Sequence, residues 1–370
     1  MTSQPSFLFI CASTPWVGAL AENLAREYPT AIVDIYDWFT LRRARRNKWP
    51  ILVPSAVTRA TWSYPPTYLS HLRRPFACLG RQRLKCFVES HVRCGALTDP
   101  WIVCPYPWYV RWLRSMRKER LVYFNLDDYF QYYPEARAPI IANQEQEMVE
   151  SCAVTLCLSQ FQVDVLRSRY PHCAGRIRHF PLGVMEEFIN QEAGEVRQGD
   201  TVGYVGNLTD RIDWDLVREV AQAMPQIKFV FVGSLDDGPW TTPRARALSL
   251  ENVFHKAQVP QQEVSRFYWD FSISWIPYNV GHPFNRACCP TKLMDGLASG
   301  RPLVSTDVPE CRLYPEWIAI VQSPEDAVHR ISEALRNARC SIRTARQIAF
   351  VREYTWAARA ASFVPALCQK

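Results

Sequence analysis

Residues 288–310, which read CCPTKLMDGLASGRPLVSTDVPE, constrain the fold more than any other stretch of this chain. An apolar-periodic run carrying Lys292 and Asp295 breaks at Gly300 and Pro302 and passes into Leu303-Val304-Ser305-Thr306, which reads as a short buried strand. Helix, tight turn and strand in that order build a ligand rim in an α/β domain. A helix N-terminus with a lysine and loop hydroxyls beside it favours a phosphate-bearing ligand, because unpaired N–H groups and the positive helix end face it. An ordinary sheet-packing helix with Lys292 and Asp295 solvated is the plainer alternative. On these residues alone both stay open.

The same alternation runs along the whole chain. Residues 7–11 read as a strand, Thr14-Pro15-Trp16 as a turn, 18–26 as a helix and 31–35 as a second strand, so the chain opens β-loop-α-β and predicts a parallel sheet. Its first loop carries Trp16 and Gly18 and no glycine fingerprint for a dinucleotide. Residues 37–75 have no clear period. Further strands are expected at 101–104, 121–124, 153–158 and 177–180, with helices at 81–92, 140–151 and 160–169 and a basic helix ending near 120. A polar linker at 190–200 separates these from a second α/β unit. There, strand 201–206 runs into a glycine turn, helix 213–224 follows, and strands are expected at 227–232, 252–254 and 271–276. A glycine-containing loop at 280–285 precedes the opening segment, and a strand at 318–321, a helix from Pro324 and a largely helical region at 342–367 end the chain. The expected domains are 1–190 and 191–345, two α/β units facing a cleft, followed by a helical C-terminal segment at 346–370.

Composition narrows the function classes. With 370 residues, 48% of them hydrophobic, the chain can bury two cores, and a net charge of +7 is a modest excess. Basic runs at 42–48 and 111–120 suit an anionic membrane surface or a phosphorylated acceptor, but no nucleic-acid reading module accompanies them, so nucleic acid is not an expected partner. Solvated faces would explain them equally well. The thirteen cysteines lack paired metal-ligand spacing and read as buried thiols of a reducing compartment; no metal is expected. No apolar run is long enough to cross a bilayer, and the N-terminus lacks a signal-peptide pattern. A cytoplasmic protein, peripheral at the inner membrane, is the expectation.

Candidate site residues sit where α/β sheets place chemistry. Asp127 and Asp128 follow the strand at 121–124, although an aspartate there also caps turns. Gly206 lets the backbone approach a ligand and Arg211 reaches a phosphate from the next loop, unless it is simply solvated. The rings of Trp16, Trp38 and Trp108 line an acceptor site or pack.

Three motifs in order, Pro181-Leu182-Gly183-Val184, Gly203-Tyr204-Val205-Gly206-Asn207-Leu208 with Arg211, and residues 290–302 (PTKLMDGLASGRP), resemble the retaining GT-B nucleotide-sugar glycosyltransferases of bacterial surface and exopolysaccharide assembly. The resemblance implies two Rossmann-like domains with the helix at 346–370 crossing back to the first, a nucleoside-diphosphate sugar as donor substrate, no tightly bound cofactor, and a glycan or lipid-linked saccharide as acceptor. It implies that Arg211 faces the donor diphosphate, that Lys292 stands at the donor site, and that Gly206, Asn207 and Thr291 approach the phosphates. Asp295 stands where the family has a glutamate that hydrogen-bonds the nucleotide ribose. Ala287, eight positions before Asp295, occupies the place of a second glutamate found in many relatives, and Asn207 a place that is often basic.

Retaining transfer of this kind, of a hexosyl group, needs no protein nucleophile. Inversion would need a base, for which Asp127 or Asp128 is first in line. The acceptor side would use Trp16, Gly18 and Trp108. The rival readings are a sugar-nucleotide epimerase, a phosphorylase and a non-catalytic protein of the same fold.

Overall fold

The computed structural model describes residues 4–12, 14–38, 42, 57–64, 82–83, 85–90, 92–93, 97–114, 118–132, 137–191, 200–337 and 341–368. The rest of the basic run at 42–48, residues 115–117 of the second basic run and most of the expected linker lie outside them. The chain forms two compact units, one of Met1–Leu158, Gln162–Phe180 and Trp356–Lys370, the other of Ser159–Phe161 and Pro181–Thr355.

The first unit is a seven-stranded parallel sheet in the order β3-β2-β1-β4-β5-β6-β7. Its strands are β1 (Phe7–Ile10), β2 (Thr30–Asp37), β3 (Thr58–Tyr64), β4 (Trp101–Cys104), β5 (Leu121–Asn125), β6 (Val154–Cys157) and β7 (Ile177–His179). Helices α1 (Pro15–Leu24), α2 (Ala138–Ser151) and α3 (Gln160–Arg169) fall between strands. Parallel strands are covered on both faces, which is why β1 is an unbroken apolar run buried throughout. Alternate side chains divide its burial. Leu8 and Ile10 enter one core, while Phe7 and Phe9 meet Phe363 of the last helix, α11 (Trp356–Cys368).

Three departures from the sequence expectations have physical reasons. Strand β3 lies inside the stretch without a period; it is an edge strand whose residues Thr58, Thr61 and Ser63 are exposed, so alternation of apolar residues is weak there. Arg59 ties it to its neighbour through the buried Asp34 on β2. The expected basic helix is a single turn, Val110–Leu113, and a 3-10 turn at Lys118–Arg120. Finally, α1 begins at Pro15 with Thr14 as its N-cap, so Trp16 and Gly18 belong to a helix and not to the first loop.

The second unit is a six-stranded parallel sheet in the order β10-β9-β8-β11-β12-β13. It contains β8 (Thr201–Val205), β9 (Lys228–Val232), β10 (Val253–Lys256), β11 (Ile273–Ile276), β12 (Leu303–Thr306) and β13 (Ile318–Val321). Its helices are α4 (Trp214–Ala223), α5 (Thr241–Leu248), α6 (Gln261–Asp270), α7 (Pro283–Ala287), α8 (Thr291–Ala298), α9 (Pro324–Asn337) and α10 (Ser341–Arg352). Both sheets have the doubly wound order of a Rossmann fold, which makes the chain a two-domain GT-B architecture.

The segment 288–310 is α8, a turn at Gly300 (φ 73°) and β12. The carbonyls at the end of α8 and in its turn receive side chains from α10: Gln347 Nε2 donates to Leu297 O, which also accepts from Gly300 N at 3.0 Å, and to Arg301 O, at 2.8 Å each, and Thr344 Oγ1 donates to Gly300 O. These bonds tie the C-terminal end of α8 to α10.

Phe363 is fully buried against Phe7, Phe9, Phe124 and Phe180. Phe363→Ala is expected to destabilise the first unit by about 3–5 kcal/mol, read as a lower denaturant midpoint for that unit alone. A shift under about 1 kcal/mol would show that α11 contributes little to it.

Candidate functional site

In an open α/β sheet, ligands bind beyond the carboxyl ends of the strands where the strand order reverses. In the second unit this place lies between β8 and β11, and the predicted donor residues gather there. Gly206 follows β8 with φ 149°, a conformation that side chains rarely adopt. A Cβ on it would stand 2.5 Å from Lys292 Cε and 2.7 Å from Lys292 Nζ, so the lysine of α8 lies directly over this glycine. Gly233, at the end of β9, presses on the same turn: a Cβ there would come within 1.9 Å of Gly206 O.

Lys292 Nζ is 5.4 Å from the centre of the Tyr204 ring, and Tyr204 meets Tyr278, from just past β11, edge-on at 6.4 Å. The guanidinium of Arg211 lies 5.1 Å from the Tyr278 ring and 3.9 Å from that of Phe284. A cation on α8 and another on the loop before α4 are thus connected through a pair of tyrosines. Asn207 is exposed, and its Oδ1 accepts from Ser234 Oγ at 3.2 Å. Thr291 opens α8, whose N-cap is Pro290, with no side-chain cap and no acid in the first turn. By contrast, α4 is capped by Asp213, whose Oδ1 accepts from Leu216 N at 3.0 Å.

Asp295 lies one turn into α8. Burial pushes its carboxyl up to about 7, against the pull of Lys292 and with a further push from Glu187. By surface area the residue as a whole is half-buried. Ala287, eight positions before Asp295, is buried in α7. The sequence expectation of a loop at 280–285 missed this short helix, whose cap is His282, with Nδ1 accepting from Phe284 N at 3.2 Å.

The predicted acceptor residues stand in the first unit, at the ends of β1, β4 and β5, which are neighbours in its sheet. Trp16 is partly buried in the first turn of α1 and Gly18 is buried behind it. Trp108 stacks on Tyr106 at 4.7 Å and meets Tyr129 edge-on, so much of its ring is used in packing. Trp38 is 55% exposed. Asp127 Oδ1 accepts from Asp128 N at 3.0 Å, and Asp128 Oδ1 accepts from Phe130 N at 3.2 Å, so both carboxylates shape their own turn.

Sequence reasoning gave no role to Glu145. It is buried on α2, accepts from Tyr123 Oη at 3.2 Å and from Arg169 Nη1 at 3.0 Å, and burial pushes it up to about 7. Asn125 joins this network to the aspartates by donating to Tyr123 Oη and to Asp127 O. A helix register alone carries no signal of such burial.

The basic run 111–120 is partly neutralised: Arg111 and Arg114 pair with Glu147, and Arg120 with Asp99. Buried thiols Cys11 and Cys311 are pushed up to about 12 by burial, which makes them poor nucleophiles. Among the described residues there is no cluster of three or more potential metal-binding side chains, and no helix is long and apolar enough to cross a membrane.

Residues 211–364 match the family model described as glycosyl transferase-like. Over 182 residues, 47% of this chain, it is 25% identical to TuaH of Bacillus subtilis strain 168, described as a teichuronic acid biosynthesis glycosyltransferase; the match spans 45% of that protein's length. Among solved structures, a glycosyltransferase from Rickettsia africae ESF-5 superposes with a TM-score of 0.66 at 9% identity, covering 99% of this chain and 98% of that one. A UDP-GlcNAc 2-epimerase from Neisseria meningitidis, bound to UDP-GlcNAc, superposes with a TM-score of 0.55 at 8% identity, covering 99% of this chain and all of that one. At such identities the structural likeness shows the fold, which serves more than one chemistry.

Asp295 yields a pH prediction. Its folded value is above its unfolded one, so the native state binds the extra proton between about pH 4 and 7, and stability falls across that window as pH rises. Asp295→Asn should therefore gain Tm relative to the parent at about pH 8 compared with about pH 5. An equal difference at both would contradict an elevated carboxyl.

Proposed function

We propose that the chain is a glycosyltransferase that moves a hexosyl group from a nucleoside-diphosphate sugar to a glycan or lipid-linked acceptor with retention of configuration. The observation that carries this is the cationic turn of the second unit, where Lys292 overlies Gly206 and Arg211 is oriented beside Tyr278. The match of residues 211–364 to a glycosyl transferase-like family supports it.

In this reading the second unit holds the donor. Gly206 lets the diphosphate approach the backbone, while Arg211, Lys292 and the uncapped N-terminus of α8 stabilise the charge that builds on it as it leaves. Thr291 and Asn207 offer polar side chains at the edge of that turn, and Asp295 accepts from a ribose hydroxyl. The bond from the anomeric carbon to the phosphate oxygen breaks, and a bond from the same face to the acceptor oxygen forms. The acceptor proton passes to the departing phosphate oxygen. The first unit holds the acceptor, with Trp16, Gly18 and Trp108 at its rim and Asp127 and Asp128 orienting the hydroxyl. We place the protein in the cytoplasm, with the basic run at 42–48 drawing it to an anionic membrane surface.

Calorimetric titration with a panel of nucleoside diphosphates and their sugars tests the donor site. One base should bind selectively, and Arg211→Ala and Lys292→Ala should each weaken binding by about 10- to 100-fold. No binding across the panel would favour a non-catalytic protein, and epimerised donor formed without acceptor would favour an epimerase. Cosedimentation with phosphatidylserine vesicles should fall as salt rises; salt-insensitive or absent binding would overturn the membrane assignment.

A further inference from the structure

Arg211 is held by a short helix that the motifs do not include. Asn285, on α7, is fully buried, and both ends of its amide are engaged. Its Oδ1 accepts from Arg211 Nε at 2.9 Å. Its Nδ2 donates to Arg211 O at 2.8 Å and to Asn279 O at 2.9 Å. One side chain thus grips the backbone and the guanidinium of the same arginine. Phe284 lies against the guanidinium at 3.9 Å, and Arg211 Nη2 donates to Cys288 Sγ at 3.5 Å. Asn279 N returns a bond to Arg211 O at 2.9 Å, which completes the join between the two loops.

The chemistry of these holders matters. Proteins commonly orient an arginine with a carboxylate, whose charge offsets that of the guanidinium. Asn285, Phe284 and Cys288 orient it without adding negative charge. An aspartate at 285 would be nearly the same size, yet it would lose both Nδ2 donations and place a negative charge 2.9 Å from Nε.

We infer that Asn285 is a positioning residue, which aims Arg211 at the terminal phosphate of a nucleoside diphosphate without itself adding a negative charge beside the guanidinium. This rests on the reading of Arg211 as a diphosphate ligand given above, and it goes beyond that reading in making the choice between diphosphate and monophosphate depend on an uncharged amide at 285. A nucleoside monophosphate lacks the group that Arg211 would engage.

The test is the ratio of diphosphate to monophosphate affinity, measured by calorimetry with UDP, GDP, ADP, CDP and dTDP and the matching monophosphates. For the base that binds, Asn285→Asp and Asn285→Ala should each weaken the diphosphate by about 10- to 100-fold and change the monophosphate by less than about 3-fold. In an Arg211→Ala background, Asn285→Ala should cost diphosphate affinity nothing further. An equal loss in both backgrounds, or parental diphosphate affinity in Asn285→Asp, overturns the inference. Arg211→Lys keeps the charge without the Nε bond and leaves residue 285 untouched, so it decides the matter even where the 285 variants do not fold. It should resemble Arg211→Ala, and parental affinity in it would overturn the positioning role. If Arg211→Ala itself binds diphosphate normally, the donor-site reading fails, and this inference with it. A loss in Arg211→Ala combined with none at 285 removes this inference alone.

Discussion

The second unit depends on a close approach at the end of β8. Gly206 turns there with a positive φ, Gly233 crowds it from β9, and Lys292 fills the space where a side chain on Gly206 would stand. Each of the three restricts the others. The positive φ favours glycine in the turn, and a side chain there would meet the end of Lys292. At the far end of α8, Gln347 and Thr344 of α10 donate to the carbonyls of Leu297, Arg301 and Gly300. Both ends of this short helix are therefore engaged, one by α10 and the other over the glycine turn.

Electrostatics gives the same place its direction. The N-terminus of α8 has neither a capping side chain nor an acid in its first turn, whereas that of α4 is capped by Asp213. A helix end left in that condition presents partial positive charge, and Lys292 adds a full one. Arg211 adds a second, held by an amide, an aromatic ring and a thiol. An anion with two phosphates is the ligand such a surface suits. The Asp295 carboxyl a turn deeper, pushed up by burial, suits a hydroxyl partner better than a cation.

Much of this was legible in the sequence for an identifiable reason. Parallel strands buried on both faces are continuous apolar runs, so β1, β9 and β12 could be read from FLFI, KFVFV and LVST with little ambiguity. Strand β3 could not, because an edge strand needs no apolar alternation and TRATWSY has little. Within the candidate site, Thr291, Lys292 and Asp295 share one stretch of sequence and one helix, and their donor-side roles were expected from the resemblance of that stretch to a family motif. The grip of Asn285 on Arg211 spans 74 positions and depends on a five-residue helix that GHPFN does not announce. Glu145 shows the same limit in the first unit: its neighbours Glu147 and Gln146 are more exposed, and only packing against Tyr123 and Arg169 separates it from them.

The most direct measurement is a crystal structure of the protein with the nucleoside diphosphate that it binds best. The account predicts the diphosphate over Gly206, within hydrogen-bond distance of both Arg211 and Lys292, with the ribose at Asp295. A diphosphate bound elsewhere, or one engaging neither cation, would contradict it.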